Sequence, residues 1–402
     1  MYDLLEGLRV VEGAAFIAGP TCGLYLAQLG AEVIRFDNIG GGPDFRRWPL
    51  APGGASLYWE GLNKAKKSVA LDLSRPEGRA LAQRLATAPG ADGGVFVTNF
   101  PVDGFLAYEK LAALRADLIC VRVMGWADGD PAVDYTVNAA VGVPLMTGRV
   151  ADARPVNHVL PAWDLLTGAY AAFALVAAVM ERRASGRGRE IRIPLSDMAI
   201  STLANMGMTA ETALAGRQRP RIGNDLYGAF GRDFVTRDGT SIMLVAITPR
   251  QWAGVLECLG IGEAVGRLEA EMGVSFAADE GIRFAHRARL FAIFEAALAA
   301  RDISELAPAF EAAGVCWGPY RPLERALDDP RLIAANPVFG DLDHPSGERY
   351  PAPGFAATLP QDRRGPARPA PRLGEHTDEV LADVLGLAPG EIGRLHEAGL
   401  VA

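Results

Sequence analysis

Asp164 stands at the head of a long apolar stretch, where PAWDLLTGAYAA runs from Pro161 into a segment without charge up to Glu181. A carboxylate can act as a nucleophile that holds an acyl group. At a helix start it also serves as an N-cap favoured by the dipole. The two roles are compatible, because a helix N-terminus would keep the carboxylate ionised. Asn63, Lys64, Lys66 and Lys67 cluster just before a strand-like run, which suits either neutralisation of phosphates or a solvated charge run. The turn Phe16-Ile17-Ala18-Gly19-Pro20 lets a ligand approach the backbone or simply joins a strand to a helix, and it lacks the spacing of a dinucleotide fingerprint. His158 is a lone imidazole, a type that more often makes a structural hydrogen bond than acts as a base. Cys22, Cys120, Cys258 and Cys316 lie far apart with no metal-ligand spacing, which fits reduced thiols in a cytoplasmic protein and no metal site.

The elements that must position these residues follow from periodicity. LRVVE at Leu8 to Glu12 reads as a strand, a helix is expected over about Thr21 to Leu29, and a second strand over Ala31 to Phe36. Strands are expected again at Ser68 to Leu71, Gly94 to Thr98, Leu118 to Val123 and Glu190 to Pro194, with helices at about Pro76 to Ala88 and Tyr108 to Leu114. This alternation predicts an α/β fold, a parallel sheet with helices on both faces. Trp163 to Arg183 fits one buried helix, its longest apolar run of roughly 12 residues being too short to span a bilayer, and one further helix is expected over Ser196 to Ala215. The polar segment from Arg217 to Arg221 marks a lobe boundary, giving a large domain over 1–216, a smaller one over 217–325 and a return over 326–402. In the smaller lobe Asp238-Gly239 signals a hairpin, with helices at Pro249 to Leu259 and Phe284 to Ala300. Pro351 to Arg372 reads as an extended strap, and a helix from Thr377 to Leu385 closes the chain. The formal charge of -8 argues against nucleic-acid or membrane-surface binding, both of which need a basic face, and no secretory signal is expected at the N-terminus.

Six segments in fixed order resemble family III coenzyme A transferases: AGPTCGLYLAQLGAEVIRFD from Ala18, LNKAKKSVALDL from Leu62, VTNF from Val97, PAWDLLTGAYAA from Pro161, RRASGRGREIRIPLSD from Arg182 and RLGEHTDEVL from Arg372. The resemblance implies a doubly wound, Rossmann-like large domain built from both chain ends, a smaller α+β domain between them, and an interlocked homodimer. It implies Asp164 as a nucleophile forming an aspartyl thioester, since a carboxylate conserves the thioester energy where serine would discard it. It further places Phe16, Ile17, Ala18, Gly19 and Pro20 at the thioester arm of CoA, Asn63, Lys64 and Lys66 at its phosphates, and Asn99 and Phe100 at its adenine. CoA then enters as part of an acyl-CoA dicarboxylate substrate, with no permanently bound cofactor.

RFDNIGGGPDFRRWPL from Arg35, VDYTVNAAVGVPLMTG from Val133, VNHVLPAWD from Val156 and GNDLYGAFGRDF from Gly223 resemble one branch of the family. That branch moves CoA between the two carboxyls of a single unsaturated C5 dicarboxylate. There Tyr135, His158 and Arg47 are candidates for the substrate's free carboxylate. The chain departs from the family where a basic residue commonly follows the second strand, because Asp37-Asn38 stands there instead, leaving Arg35, Arg46 or Arg47 to contact CoA phosphates. The loop after Asn99-Phe100 is short, and the racemase branch's histidine is absent before Asp134-Tyr135. An intermolecular CoA transferase acting on a free dicarboxylate and a non-catalytic CoA-ester-binding protein are the alternatives.

Overall fold

In the computed structural model, which describes residues 1–402, the chain divides into two compact units. The larger comprises Met1–Val141, His158–Leu214 and Asp329–Ala402, and the smaller Gly142–Asn157 and Ala215–Asp328. The excursion of Gly142–Asn157 into the smaller unit has no mark in the sequence's composition.

The larger unit is built on six strands: β1 (Arg9–Gly13), β2 (Glu32–Asn38), β3 (Lys67–Leu71), β4 (Val95–Thr98), β5 (Ile119–Met124) and β6 (Arg189–Pro194). They pair in the order β3-β2-β1-β4-β5-β6, all parallel. The helices up to the lobe boundary are α1 (Ala18–Gln28), α2 (Leu57–Leu62), α3 (Pro76–Ala86), α4 (Tyr108–Leu114), α5 (Asp134–Ala140), α6 (Val143–Met146), α7 (Ala162–Ser185), α8 (Leu195–Asn205) and α9 (Met208–Ala215). Because strand side chains alternate, the four central strands β1, β2, β4 and β5 feed two cores. Val10, Val33, Val95 and Ile119 pack with Leu26 of α1 and Leu175 of α7. Val11, Ile34, Phe96 and Cys120 pack with Leu81 and Leu85 of α3. Burial on both faces is why these strands read as near-continuous apolar runs.

The helix expected over Ser196 to Ala215 is two helices, because Gly207 at φ +76° takes the left-handed conformation that ends α8. The reading of α7 as a buried helix is also corrected. It is 24 residues long and apolar enough, by length and composition, to cross a membrane. Ala171, Leu175 and Val179 are buried, whereas Tyr170, Phe173 and Met180 are 47%, 68% and 66% exposed. Where α7 crosses α1 the backbones nearly touch: a Cβ on Gly168 would lie 2.6 Å from Thr21 Cβ and 2.8 Å from the Ala18 carbonyl.

The chain's last part returns to the sheet. The expected strap at Pro351 begins inside a hairpin of β10 (Phe339–Asp343) and β11 (Arg349–Pro353), and its irregular continuation meets the N-terminus, the Met1 amine donating to the Gly365 carbonyl at 2.8 Å. The helix Thr377–Asp383 does not close the chain. A second, Pro389–Glu397, follows and packs Ile392 into the α3 side of the core, and Val401 bridges to Leu71 of β3. In the smaller unit, β7 (Phe230–Val235), β8 (Ser241–Ala246) and β9 (Cys316–Pro319) form an antiparallel sheet over an aromatic core of Phe230, Trp252, Phe291 and Phe294.

Candidate active site

The sheet order reverses between β1 and β4, so the loops leaving their carboxyl ends part and open a crevice. Each loop is held from the other side. The Asn99 amide donates to the Ala15 carbonyl at 3.0 Å and accepts from the Ala15 N–H at 3.2 Å, and the Thr98 hydroxyl donates to the Gly13 carbonyl at 2.9 Å. Phe16 sits at φ +70°, an unfavourable conformation for a bulky residue, and its N–H donates to Asp44 at 3.0 Å.

A cavity of about 570 Å³ lies over this crevice, lined by Phe16, Ile17, Ala18, Asn99, Phe100 and Asp164 among others. A second space of about 360 Å³ shares Phe16, Asn99 and Phe100 and extends to Phe36, Asp37 and Leu73. Five of the residues expected at CoA therefore meet at one place with the expected nucleophile. Gly19 and Pro20 do not. They lie buried in the first turn of α1, where the Pro20 carbonyl accepts from Lys66 at 2.9 Å.

Much of the cationic cluster expected at the CoA phosphates is engaged inside the protein. Lys66 is buried and its ammonium is fully engaged, with Glu12 at 2.8 and 3.0 Å, the Pro20 carbonyl, and Asn63 at 2.9 Å. Arg35 is equally buried and binds Asp37 at 2.7 and 2.8 Å, Asp44 at 2.9 Å and Asn63 at 3.1 Å. Lys64 donates to the Gly61 carbonyl, and burial pushes its ammonium down to about 8. A buried charge needs a partner, and Lys66 and Arg35 have found theirs inside the protein. Asn63, Lys66 and Arg35 thus form a foundation, and through Asp44 that foundation holds the strained Phe16 turn.

Asp164 is the third residue of α7 and does not cap it, because the N-cap position is Pro161 and no side chain of that turn supplies the bond. The cap comes from α5. One oxygen of the buried Asp134 carboxylate accepts from the N–H groups of Trp163 at 2.6 Å and Asp164 at 3.1 Å, and the other meets His158 Nε2 at 2.7 Å. Tyr135, beside it, sets its ring edge-on to His158 at 5.8 Å. The expectation that the helix terminus keeps Asp164 ionised is therefore reversed. Burial first, and the Asp134 charge second, push its carboxyl up to about 7, with the Arg47 guanidinium acting in the opposite direction. Arg47 lies over the rings of Phe16 at 5.5 Å and Tyr58 at 5.3 Å, and the buried Tyr58 hydroxyl has no hydrogen-bond partner. Burial raises the Tyr58 hydroxyl far above its usual range, and the Asp164 charge adds to the rise.

Asp134 and Tyr58 were not singled out by sequence. For Asp134 a signal existed: α7 starts at a proline that has no capping oxygen in its side chain, so the orphaned N–H groups require an acceptor from elsewhere.

A model of CoA-transferase family III matches residues 5–377. The chain belongs to this family. A 2-methylfumaryl-CoA isomerase from Chloroflexus aurantiacus is 47% identical over alignments covering 100% of this chain and 98% of the relative. A succinate–glutarate CoA-transferase from Agrobacterium fabrum is 32% identical, covering 94% and 95%. A crystal structure of a CaiB/BaiF family protein from Brucella suis superposes with a TM-score of 0.76 at 26% identity, covering 96% of this chain and all of that one.

Proposed function

We propose that this enzyme moves CoA between the two carboxyl groups of 2-methylfumaryl-CoA, a C5 unsaturated dicarboxylyl thioester, with Asp164 as nucleophile. The observation that carries the substrate is the 47% identity, over the whole chain, to a 2-methylfumaryl-CoA isomerase. Asp164 opening on the cavity supports the chemistry.

In this reading the Asp164 carboxylate attacks the thioester carbonyl, the C–S bond breaks, and a mixed anhydride forms as CoA thiolate leaves. The thiolate attacks the Asp164 carbonyl, which frees the dicarboxylate and leaves CoA on Asp164 as a thioester. The dicarboxylate turns and attacks with its other carboxylate, reforming an anhydride. The thiolate then attacks the new acyl carbonyl, which yields the isomeric thioester and restores Asp164. No proton is gained or lost overall, and thioester energy is retained at each stage. Arg47, near enough to lower the carboxyl of Asp164, supplies the positive charge that a free carboxylate on the substrate needs. The space bounded by Phe36, Asp37 and Phe100 takes the adenine end of CoA. A second copy of this chain covers the exposed stripe of Leu166, Tyr170, Phe173 and Met180 on α7.

Incubating the enzyme with purified 2-methylfumaryl-CoA and no acceptor should yield the regioisomeric thioester by chromatography and mass spectrometry. The similarity to a succinate–glutarate CoA-transferase favours intermolecular transfer as the second reading, and strict dependence on an added acid would select it.

A further inference from the structure

We propose that Asp134 and His158 form a positioning pair for Asp164, in which Asp134 holds the first turn of α7 and His158 holds the Asp134 carboxylate in place. The inference rests on the reading of Asp164 as nucleophile.

The geometry divides Asp134 into two functions. One oxygen is spent on the two backbone N–H groups that open α7, at 2.6 and 3.1 Å, and this fixes where Asp164 begins its side chain. The other oxygen is spent on His158 Nε2 at 2.7 Å. Asp134 is 1% exposed, so its charge is poorly screened by solvent and acts on whatever faces it. What faces it is a second carboxylate, and two carboxylates sharing a site oppose each other's ionisation. A helix can be capped by serine or asparagine at no such cost. A charged cap beside the nucleophile therefore acts on Asp164 in a way that a neutral cap would not. A more basic carboxylate is also the better nucleophile once ionised, provided that ionisation remains accessible at working pH.

The other groups around Asp164 complete the balance. Arg47, on the loop after β2, lowers its carboxyl, and Tyr58 on α2 carries a buried hydroxyl that feels its charge. Asp103, Asp128 and Asp130 line the same cavity and add further negative charge. Tyr135 packs edge-on against His158 at 5.8 Å, so the imidazole is held from one side by that ring and from the other by Asp134.

The test follows covalent modification of Asp164 directly. Enzyme is mixed with 2-methylfumaryl-CoA at a series of pH values, quenched in acid, digested with pepsin, and the peptide containing Asp164 is scored for a CoA adduct by mass spectrometry. In the wild type the adduct should form with an acid-side midpoint near 7. In Asp134→Asn, whose amide oxygen still accepts the two N–H groups, the midpoint should fall by about one pH unit, so that adduct formation at pH 6 rises several-fold relative to its own plateau. His158→Ala, which leaves that carboxylate oxygen without its partner, should form the adduct several-fold more slowly at every pH, and His158→Gln, whose amide still donates to Asp134, should restore the rate. An unchanged midpoint in Asp134→Asn and an unchanged rate in His158→Ala, with melting temperature alone altered, would overturn the pair and leave Asp134 a plain helix cap. Absence of any adduct on Asp164 in the wild type would overturn the nucleophile itself and the pair's role with it. The two failures are thereby distinguished.

Discussion

Replacing Asp164 by Asn should abolish turnover and at the same time make the protein more stable at alkaline pH. The carboxyl stands at about 7 against an ordinary value of 3.8, because burial and Asp134 oppose its charge. At about 1.4 kcal/mol per pH unit that difference corresponds to roughly 4 kcal/mol stored in the ionised form. Solvent entering through the cavity screens part of it, leaving about 2 kcal/mol. The sign follows from linkage: a carboxyl raised in the folded state binds its proton more tightly there than when unfolded. The wild type therefore loses stability as pH rises from about 4 to about 7 and carries the full cost above that. The neutral amide escapes the cost. Thermal unfolding at pH 8 should show Asp164→Asn melting about 4–8 °C above the wild type. The gap should shrink to about a third at pH 5 and vanish below pH 4. Activity should fall by several orders of magnitude, since the amide cannot attack the thioester to form the anhydride. A variant that is no more stable than the wild type at pH 8, or a gap independent of pH, would refute the claim that Asp164 is held at an electrostatic cost.

Lys66→Ala should behave as a core lesion, losing about 3 kcal/mol because Glu12 is left buried and only Arg35, at 3.6 Å, remains to balance it. Calorimetry reports that loss, and in the folded variant the KM values for a CoA ester and for a pantetheine ester lacking the nucleotide should rise alike; a selective loss for the CoA ester would restore Lys66 as a phosphate ligand. Gly168→Val should destabilise the larger unit by about 1–3 kcal/mol, since its side chain would collide with Thr21 and the Ala18 carbonyl. That collision displaces the turn that lines the cavity, so turnover measured well below the melting temperature should also fall, and full activity there would show that the α1–α7 contact does not set the site. In the wild type, kcat/KM should drop about tenfold per pH unit on the acid side of about 7 as Asp164 takes up its proton. A flat profile down to pH 5 would contradict the raised carboxyl.

Local pattern carried most of the sheet. β1 to β6 are found within a residue or two of the runs expected, and the helices Tyr108–Leu114 and Pro249–Leu259 fall where periodicity placed them. The second is amphipathic and bounded by a clear start signal, the Thr248 side chain accepting from the Gln251 N–H. The closing helix Pro389–Glu397 was missed, although a proline at its start and Glu391 three residues beyond Ala388 mark it. The lining of the cavity was legible where residues act through their own backbone position, as at Phe16 to Ala18, Asn99 and Asp164. It was illegible where a charge is answered from a distance. Lys66 is paired with Glu12, 54 residues earlier, and Asp164 is held by Asp134, 30 residues earlier. Sequence shows a cluster of cations but not the buried carboxylates that consume it, which is why Lys64 and Lys66 read as ligands for phosphate. The exposed face of α7 was hidden for a related reason: composition reports how apolar a helix is, not which side the fold covers.

In the intramolecular reading the dicarboxylate stays in the site while CoA sits on Asp164, held at an effective concentration far above any free competitor. The most direct test is to incubate 2-methylfumaryl-CoA with the enzyme and a large excess of isotopically labelled free 2-methylfumarate, and to measure label in the isomeric thioester by mass spectrometry. Isomer should form with little label incorporated. Label entering the product at a rate matching isomerisation would mean that the acid leaves on every cycle, and intramolecular transfer would be contradicted.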